Sequence, residues 1–246
     1  MNKVKHAEPK QTWYLPIGTV VHSYAEAKIK GEAYDLPEHF NELVRKQRTI
    51  EPNMDLWLAG GSMDNPIVKG LALQRAKDCT VKVDEYLKEL TVWEVEYNAS
   101  GRLPGLDIPI IAYVDIIGTH KKHGDVIPDW KSGANKPKNN FQLETYKALL
   151  MQTKYGSEPH SLPKGMWLMV APDASKARPV DLSQVNPTEV GKKYQEVYKD
   201  MEAKLYKTNA GFGCKFCFQQ DNCAVNAGPT PRAKYYDRSH EDGVPF

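Results

Sequence analysis

Asp115, Asp129 and Lys131 are the residues of this chain whose types and spacing suit a reaction on phosphate, with Gln142 and Tyr146 close behind them. Carboxylate oxygens are hard ligands, and one or two of them hold Mg²⁺ while leaving waters for a substrate phosphate to displace. Such an ion, Mg²⁺ or Mn²⁺, activates water, and either the ion or the Lys131 ammonium can balance the charge that builds on the phosphorus oxygens in phosphodiester hydrolysis. Asp129 and Lys131 stand two apart, so on a strand they share one face while Trp130 points the other way. Gln142 and Tyr146 stand four apart, which puts both on one face of a helix, within reach of a phosphate or of Lys131. Taken alone, Asp129 with Lys131 also suits a surface ion pair, and Gln142 with Tyr146 a satisfied polar pair on a helix.

The flanking residues must hold these groups in place. Residues 108–117 are apolar apart from Asp115 and Pro109, as in a strand buried on both faces, where a lone carboxylate needs a cation. His123-Gly124-Asp125 has turn chemistry and joins this run to the next as a hairpin, which brings Asp115 beside the strand carrying Asp129. The pattern predicts strands at 91–98, 106–118 and 126–131, a helix at 140–154, strands at 166–171 and 178–182, and a polar helix at 187–207. Upstream, a helix spans 19–30 with Gly31 suited to end it, followed by helices at 37–48 and 66–90 with a turn at Ala59-Gly60-Gly61 between them. Glu94 and Glu96 fall on one face of the first strand, a face read as solvated. His120, Lys121, Lys122, His123, Lys131, Lys136 and Lys138 form an expected basic footprint around the site.

A second cluster lies near the C-terminus. Cys214, Cys217 and Cys223 fall within ten residues, and a C-x-x-C pair can place two thiolates on one ion. A metal or a cluster is the expected occupant. Cys79 is the one other cysteine, a candidate for a fourth ligand or for a buried core thiol.

The order His22, Asp115, Asp129-Trp130-Lys131, Gln142-x-x-x-Tyr146 resembles the RecB-like branch of the PD-(D/E)XK nucleases. Gly18-Thr19-Val20-Val21-His22 resembles the helix motif that brings a histidine to the metal, and Gln142-Leu143-Glu144-Thr145-Tyr146 the family's glutamine and tyrosine motif. The resemblance runs from Gly18 to Cys223, with no alignable motif between Gly31 and Thr91. It implies an α/β restriction-endonuclease-like core of helix, three-stranded antiparallel meander, helix and strand. Residues 31–90 would be a helical insertion within a single nuclease domain spanning 1–246. The metal ligands would be His22, Asp115, Asp129 and the backbone carbonyl of Trp130. Asp115, Asp129, Lys131, Gln142 and Tyr146 would be the catalytic set.

The cysteine motif, residues 208–226, is similar to that of the CRISPR-associated and AddB-type exonucleases, which carry a [4Fe-4S] cluster on four cysteines. In those families the fourth cysteine precedes the histidine, whereas Cys79 follows it here. Structural Zn²⁺ on Cys214, Cys217 and Cys223, with Cys79, a histidine or water as fourth ligand, is therefore the rival occupant.

The function implied is a metal-dependent exonuclease acting on single- or double-stranded DNA in recombination, repair or DNA processing, of phage or bacterial origin. Two rivals stand beside it: a non-cleaving nucleic-acid-binding or structural subunit on the same fold, and an RNA-directed nuclease. No Walker A pattern occurs, so a helicase or recombination partner would bring its own ATPase. The chain of 246 residues, 41% hydrophobic with a formal charge of +2, can bury a real core and carries too little net charge to proclaim a nucleic-acid binder. No apolar run approaches the ~18 residues of a membrane span, and a cytoplasmic location in a bacterial cell or phage-infected host is expected. The charged, turn-rich residues 228–246 read as a flexible tail.

Overall fold

The computed structural model describes residues 14–50, 66–156, 161–174 and 179–203. The cysteines at 214, 217 and 223, the Ala59-Gly60-Gly61 turn and the tail lie outside the described residues.

Three helices come first: α1 (Tyr14–Lys30), α2 (Leu36–Ile50) and α3 (Pro66–Leu87). Ile17, Val20, Val21 and Ala25 recur on one side of α1 and bury together with Phe40 and Val44 of α2 and Ala72, Ala76, Cys79 and Val83 of α3. α1 ends as the sequence predicts. Gly31 takes φ 71°, and the amide of Glu32 reaches back to the carbonyl of Ala27.

The strands β1 (Leu90–Asn98), β2 (Tyr113–His120) and β3 (Gly124–Lys131) form the expected antiparallel meander. Helix α4 (Phe141–Leu150) then crosses over to β4 (Lys164–Met169), which lies parallel to β3. β5 (Pro179–Asp181) closes the sheet, in the order β1-β2-β3-β4-β5, and α5 (Pro187–Glu202) follows. The sheet separates two cores. Ile116, Trp130 and Leu168 bury against α1 to α3, while Ile117, Ile127 and Trp167 bury with Leu143 and Leu149 of α4 and Val190 of α5.

Some boundaries differ from those the sequence predicts. Residues 106–112 do not extend β2 and make only an isolated bridge, Gly101 to Ile110, because the next amide on that edge, Ala112, donates to Ser100 Oγ instead of to a backbone carbonyl. α4 stops at Leu150 rather than 154. The amides of Gln152 and Thr153 turn back to carbonyls three residues earlier, and the Thr153 hydroxyl also donates to the Leu150 carbonyl. α4 lies close on the sheet. At Gly165 of β4 an added Cβ would stand 2.8 Å from Leu143 Cδ1 and 3.0 Å from Leu182 Cδ1, so a side chain there would force both leucines to give way.

Candidate active site

The strands of the β2–β3 hairpin pair for only three rungs, Gly118 with Val126, Thr119 with Asp125 and His120 with Gly124, and then diverge. By alternation the amides of Val126 and Trp130 and the nitrogen of Pro128 all face β2, while Lys131, whose carbonyl accepts from the Val170 amide, faces β4. Divergence would strand two donors. Pro128 has none to strand, and the Trp130 amide donates to Asp115 Oδ2 at 2.8 Å. Asp115, 7% exposed, thus fills the gap between its own strand and the next with a carboxylate.

The other Asp115 oxygen, Oδ1, lies 3.5 Å from His22 Nδ1, carried in by α1. Gly18, one turn earlier, keeps that helix close to the end of β3, since a Cβ there would meet Ser132 Oγ at 3.3 Å. The third member is Glu96. One ligand atom from each of His22, Glu96 and Asp115 falls within 4.8 Å of the others.

Glu96 reaches this spot because β1 does not alternate regularly. Trp93 is an extra residue between the rungs Val92–Gly118 and Glu94–Ile117, and Glu96 itself takes φ 51°, the left-handed region, uncommon for a residue with a side chain. Glu94 therefore goes one way, accepting from Lys154 Nζ at 2.7 Å and the Tyr155 hydroxyl at 2.8 Å. Glu96 goes the other, toward His22, Glu26 and Lys30 of α1. The expectation of one solvated face for both glutamates is overturned by that backbone turn. On β2, Val114 and Ile116 bury in opposite cores although only two apart, so the partner strand is irregular at the same rung.

Asp129 is 1% exposed. Its Oδ1 accepts from Gln142 Nε2 at 2.9 Å, and its Oδ2 forms an ion pair with Lys131 Nζ although no donor is aligned on it as a hydrogen bond. Gln142 Nε2 also donates to the Tyr146 hydroxyl at 2.7 Å, while Gln142 Oε1 accepts from Lys131 Nζ at 3.1 Å. That ammonium lies 4.9 Å over the Trp167 ring. Gln142 is the node joining aspartate, lysine and tyrosine, and the network admits only one orientation of its amide.

Negative charge is crowded here. Burial, then the neighbouring Asp115 carboxylate, push the Asp129 carboxyl up to about 6 against the opposing pull of Lys131 and His22. Burial and the charges of Asp115 and Glu26 raise Glu96. Burial works against a charged His22, but its hydrogen bond to Asp115 and the charges of Asp115 and Asp129 outweigh burial and raise it. Burial and then Asp129 raise the Tyr146 phenol far above its ordinary value. Three carboxylates and one imidazole converge here, countered by Lys131 at Asp129 and by Lys30 on the α1 side of Glu96. This set of oxygens and one nitrogen fits a hard divalent cation such as Mg²⁺ or Mn²⁺.

His22, Asp115, Asp129, Lys131, Gln142 and Tyr146 come together as the sequence predicts. Trp130 gives its amide to Asp115 and its ring to the core beside Tyr86. Cys79 is fully buried among the α1–α3 side chains, and burial pushes its thiol up to about 11, the behaviour of a core thiol. The basic footprint shrinks. His120 to His123 occupy the turn end of the hairpin, five residues or roughly 16 Å along the strands from Asp115 and Asp129. There His120 is buried, pairing with Glu89 at 3.1 Å and accepting from the Lys122 amide. Of the others, Lys131 is in the site, and Lys136 and Lys138 lie in the loop between β3 and α4.

No helix among the described residues is long and apolar enough to cross a membrane. No curated protein matches the chain. The solved structure of SSO0001 aligns over 92% of this chain and 92% of its own at 12% identity with a TM-score of 0.37, too distant to carry a residue correspondence. The family model of the PD-(D/E)XK nuclease superfamily matches residues 3–224, a span that takes in the whole carboxylate, lysine and glutamine network, and the chain belongs to that superfamily.

Proposed function

We propose that the protein is a Mg²⁺- or Mn²⁺-dependent deoxyribonuclease of the RecB-like branch, acting as an exonuclease in recombination, repair or DNA processing. The observation that carries this reading is Asp129, buried, raised toward protonation and tied through Gln142 to Lys131. Asp115 and Asp129 would hold the ion, with His22, Glu96 and the Trp130 carbonyl completing its shell. Bound there, the ion supplies Lewis-acid polarisation of the phosphoryl group and of the attacking water.

The chain's own groups do the rest. Lys131 donates to the water that attacks phosphorus, or to the non-bridging oxygen that gains charge as the bond to the leaving oxygen breaks. Gln142 holds the lysine against Asp129 and restricts its rotamers, and Tyr146 fixes the glutamine. The departing alkoxide takes its proton from solvent.

End-labelled single- and double-stranded DNA, incubated with Mg²⁺, Mn²⁺ or chelator, tests the reading. The parent protein should shorten DNA from an end only with metal, and Asp129→Ala and Lys131→Ala should each lose about a hundred-fold or more. A folded parent that binds DNA without cutting it under any metal would establish the non-cleaving subunit instead, and preferential loss of RNA in competition would redirect the substrate.

Cys214, Cys217 and Cys223 are proposed to hold a metal centre, either [4Fe-4S] or Zn²⁺. The burial of Cys79 favours a fourth ligand other than that thiol. Anaerobically purified protein that is brown with broad visible absorbance identifies the cluster, and colourless protein with one equivalent of zinc identifies the alternative.

A further inference from the structure

A pocket of about 430 Å³ lies beside the carboxylates, between the residues that lead into β2 and the exposed side of α4 and α5. That volume falls within the roughly 300–1,000 Å³ of small-molecule sites. Two of its lining residues, Gln142 and Tyr146, belong to the Asp129–Lys131 network, so an occupant would sit one side chain from the proposed scissile phosphate.

Its remaining walls are flat and apolar. Tyr113, 52% exposed, and Ile111, 77% exposed, form one side, and Phe141 and Tyr194 the other, their rings 5.0 Å apart. Among the described residues no ring stacks on Tyr113. Lys193 covers the Phe141 ring at 5.1 Å. Asn139 accepts from the Phe141 amide through its carbonyl oxygen, and its NH₂ donates to no described residue. No carboxylate lines the pocket, while Lys136 and Lys138 sit in the loop leading to Asn139. An aromatic face, a free amide donor and flanking ammonium groups suit one polyanionic ligand with flat, hydrogen-bonding units.

We propose that this pocket receives a single unpaired nucleobase of the strand being cut, stacked on Tyr113 and offered a hydrogen bond by Asn139, and that it selects single-stranded over fully paired ends. A paired base has its Watson–Crick edge taken, and inside a duplex both faces as well, so only an unpaired one offers Tyr113 a face and Asn139 a free edge together. The inference rests on the nuclease reading, and deepens it by naming the strand state of the substrate.

Binding without cleavage separates the two. Labelled single strands and the same sequence as a blunt duplex are titrated in chelator by fluorescence anisotropy, with one abasic nucleotide moved stepwise along the single strand. The parent should favour the single strand, and one abasic register should weaken binding about ten-fold. Tyr113→Ala should lose a similar factor on single strands, little on duplex, and become indifferent to the abasic position. Tyr113→Phe, which keeps the face, should bind as the parent does. Tyr113 is exposed, so these substitutions leave the core untouched. Equal binding by parent and Tyr113→Ala, equal losses on single strand and duplex, or no sensitive register would each overturn the pocket while cleavage persisted. Failure of the nuclease reading would show instead as no cleavage with the abasic register intact.

Discussion

The two ends of the β2–β3 hairpin are held by different means. At the turn end three backbone rungs close the strands, helped by the Thr119 hydroxyl, which donates to Asp125 Oδ1 at 3.0 Å. At the open end no rungs form. A proline removes one donor, an aspartate side chain takes another, and the space between the strands collects the charge. The contrast shows that Asp115 has two tasks. It keeps a buried amide satisfied, and under the proposed function its other oxygen, beside His22, would face the ion, so structure and proposed chemistry meet in one carboxylate.

Substituting Asp115 tests that double role most severely. Asp115→Ala should abolish cleavage and also lower stability by about 1–3 kcal/mol, because the Trp130 amide is left buried without an acceptor. Asp115→Asn can still accept that bond. It should recover most of the stability in a denaturant melt and none of the activity. If Asn and Ala destabilise equally, the carboxylate does not carry the strand gap.

The open end should also respond to pH when no ion is bound. The folded pKa of Asp129, about 6, exceeds its ordinary value of 3.8, so its contribution to stability is complete below about pH 4 and lost as pH rises through about 6. Glu96 and His22 are raised too, and their contributions fade in the same direction. In chelator, Tm should fall from about pH 5 to pH 8. Added Mn²⁺ should raise Tm more at pH 8 than at pH 5, and Asp129→Asn should flatten both trends. A chelator melt that strengthens with rising pH would contradict the charge crowding.

Glu94 and Glu96 extend the comparison along β1. Glu96→Gln should weaken metal dependence, read as about a ten-fold higher Mn²⁺ requirement for cleavage. Glu94→Gln, on the Tyr155 side, should leave it unchanged. The smallest effect belongs to the turn end, where Thr119→Val should cost about 0.5 kcal/mol or less and leave the rate alone.

Much of the site was legible because its residues announce themselves by type: a carboxylate in an apolar run, an Asp and a Lys two apart before a helix, a Gln and a Tyr four apart on it. The meander, its turn and the crossover helix followed from period and turn chemistry. Glu96 escaped because period-two alternation places it beside Glu94, and neither an extra residue at Trp93 nor a left-handed glutamate leaves a mark in composition. The basic residues at 120–123 were misplaced for a related reason. Five to eight residues of separation look near in a sequence, yet five residues along an extended strand already cover roughly 16 Å, more than half the length of either hairpin strand. The pocket beside α4 was invisible for want of any pattern linking residues 111–113 to Tyr194.

Gly165 acts, in effect, as a shim. Its register partner on β3 is Ile127, two residues from Asp129, and the helix above it carries Gln142 next to Leu143. The stand-off between helix and sheet is thus set by a residue with no side chain, and the reach from Gln142 to Asp129 inherits that clearance. A single added carbon there would press on Leu143, whose Cδ1 and Cβ would stand 2.8 and 3.2 Å away, at the start of the helix that carries Gln142. The clearance beneath Gln142, and with it the hold on Lys131, therefore depends in part on the neighbouring strand, at a position without any functional group.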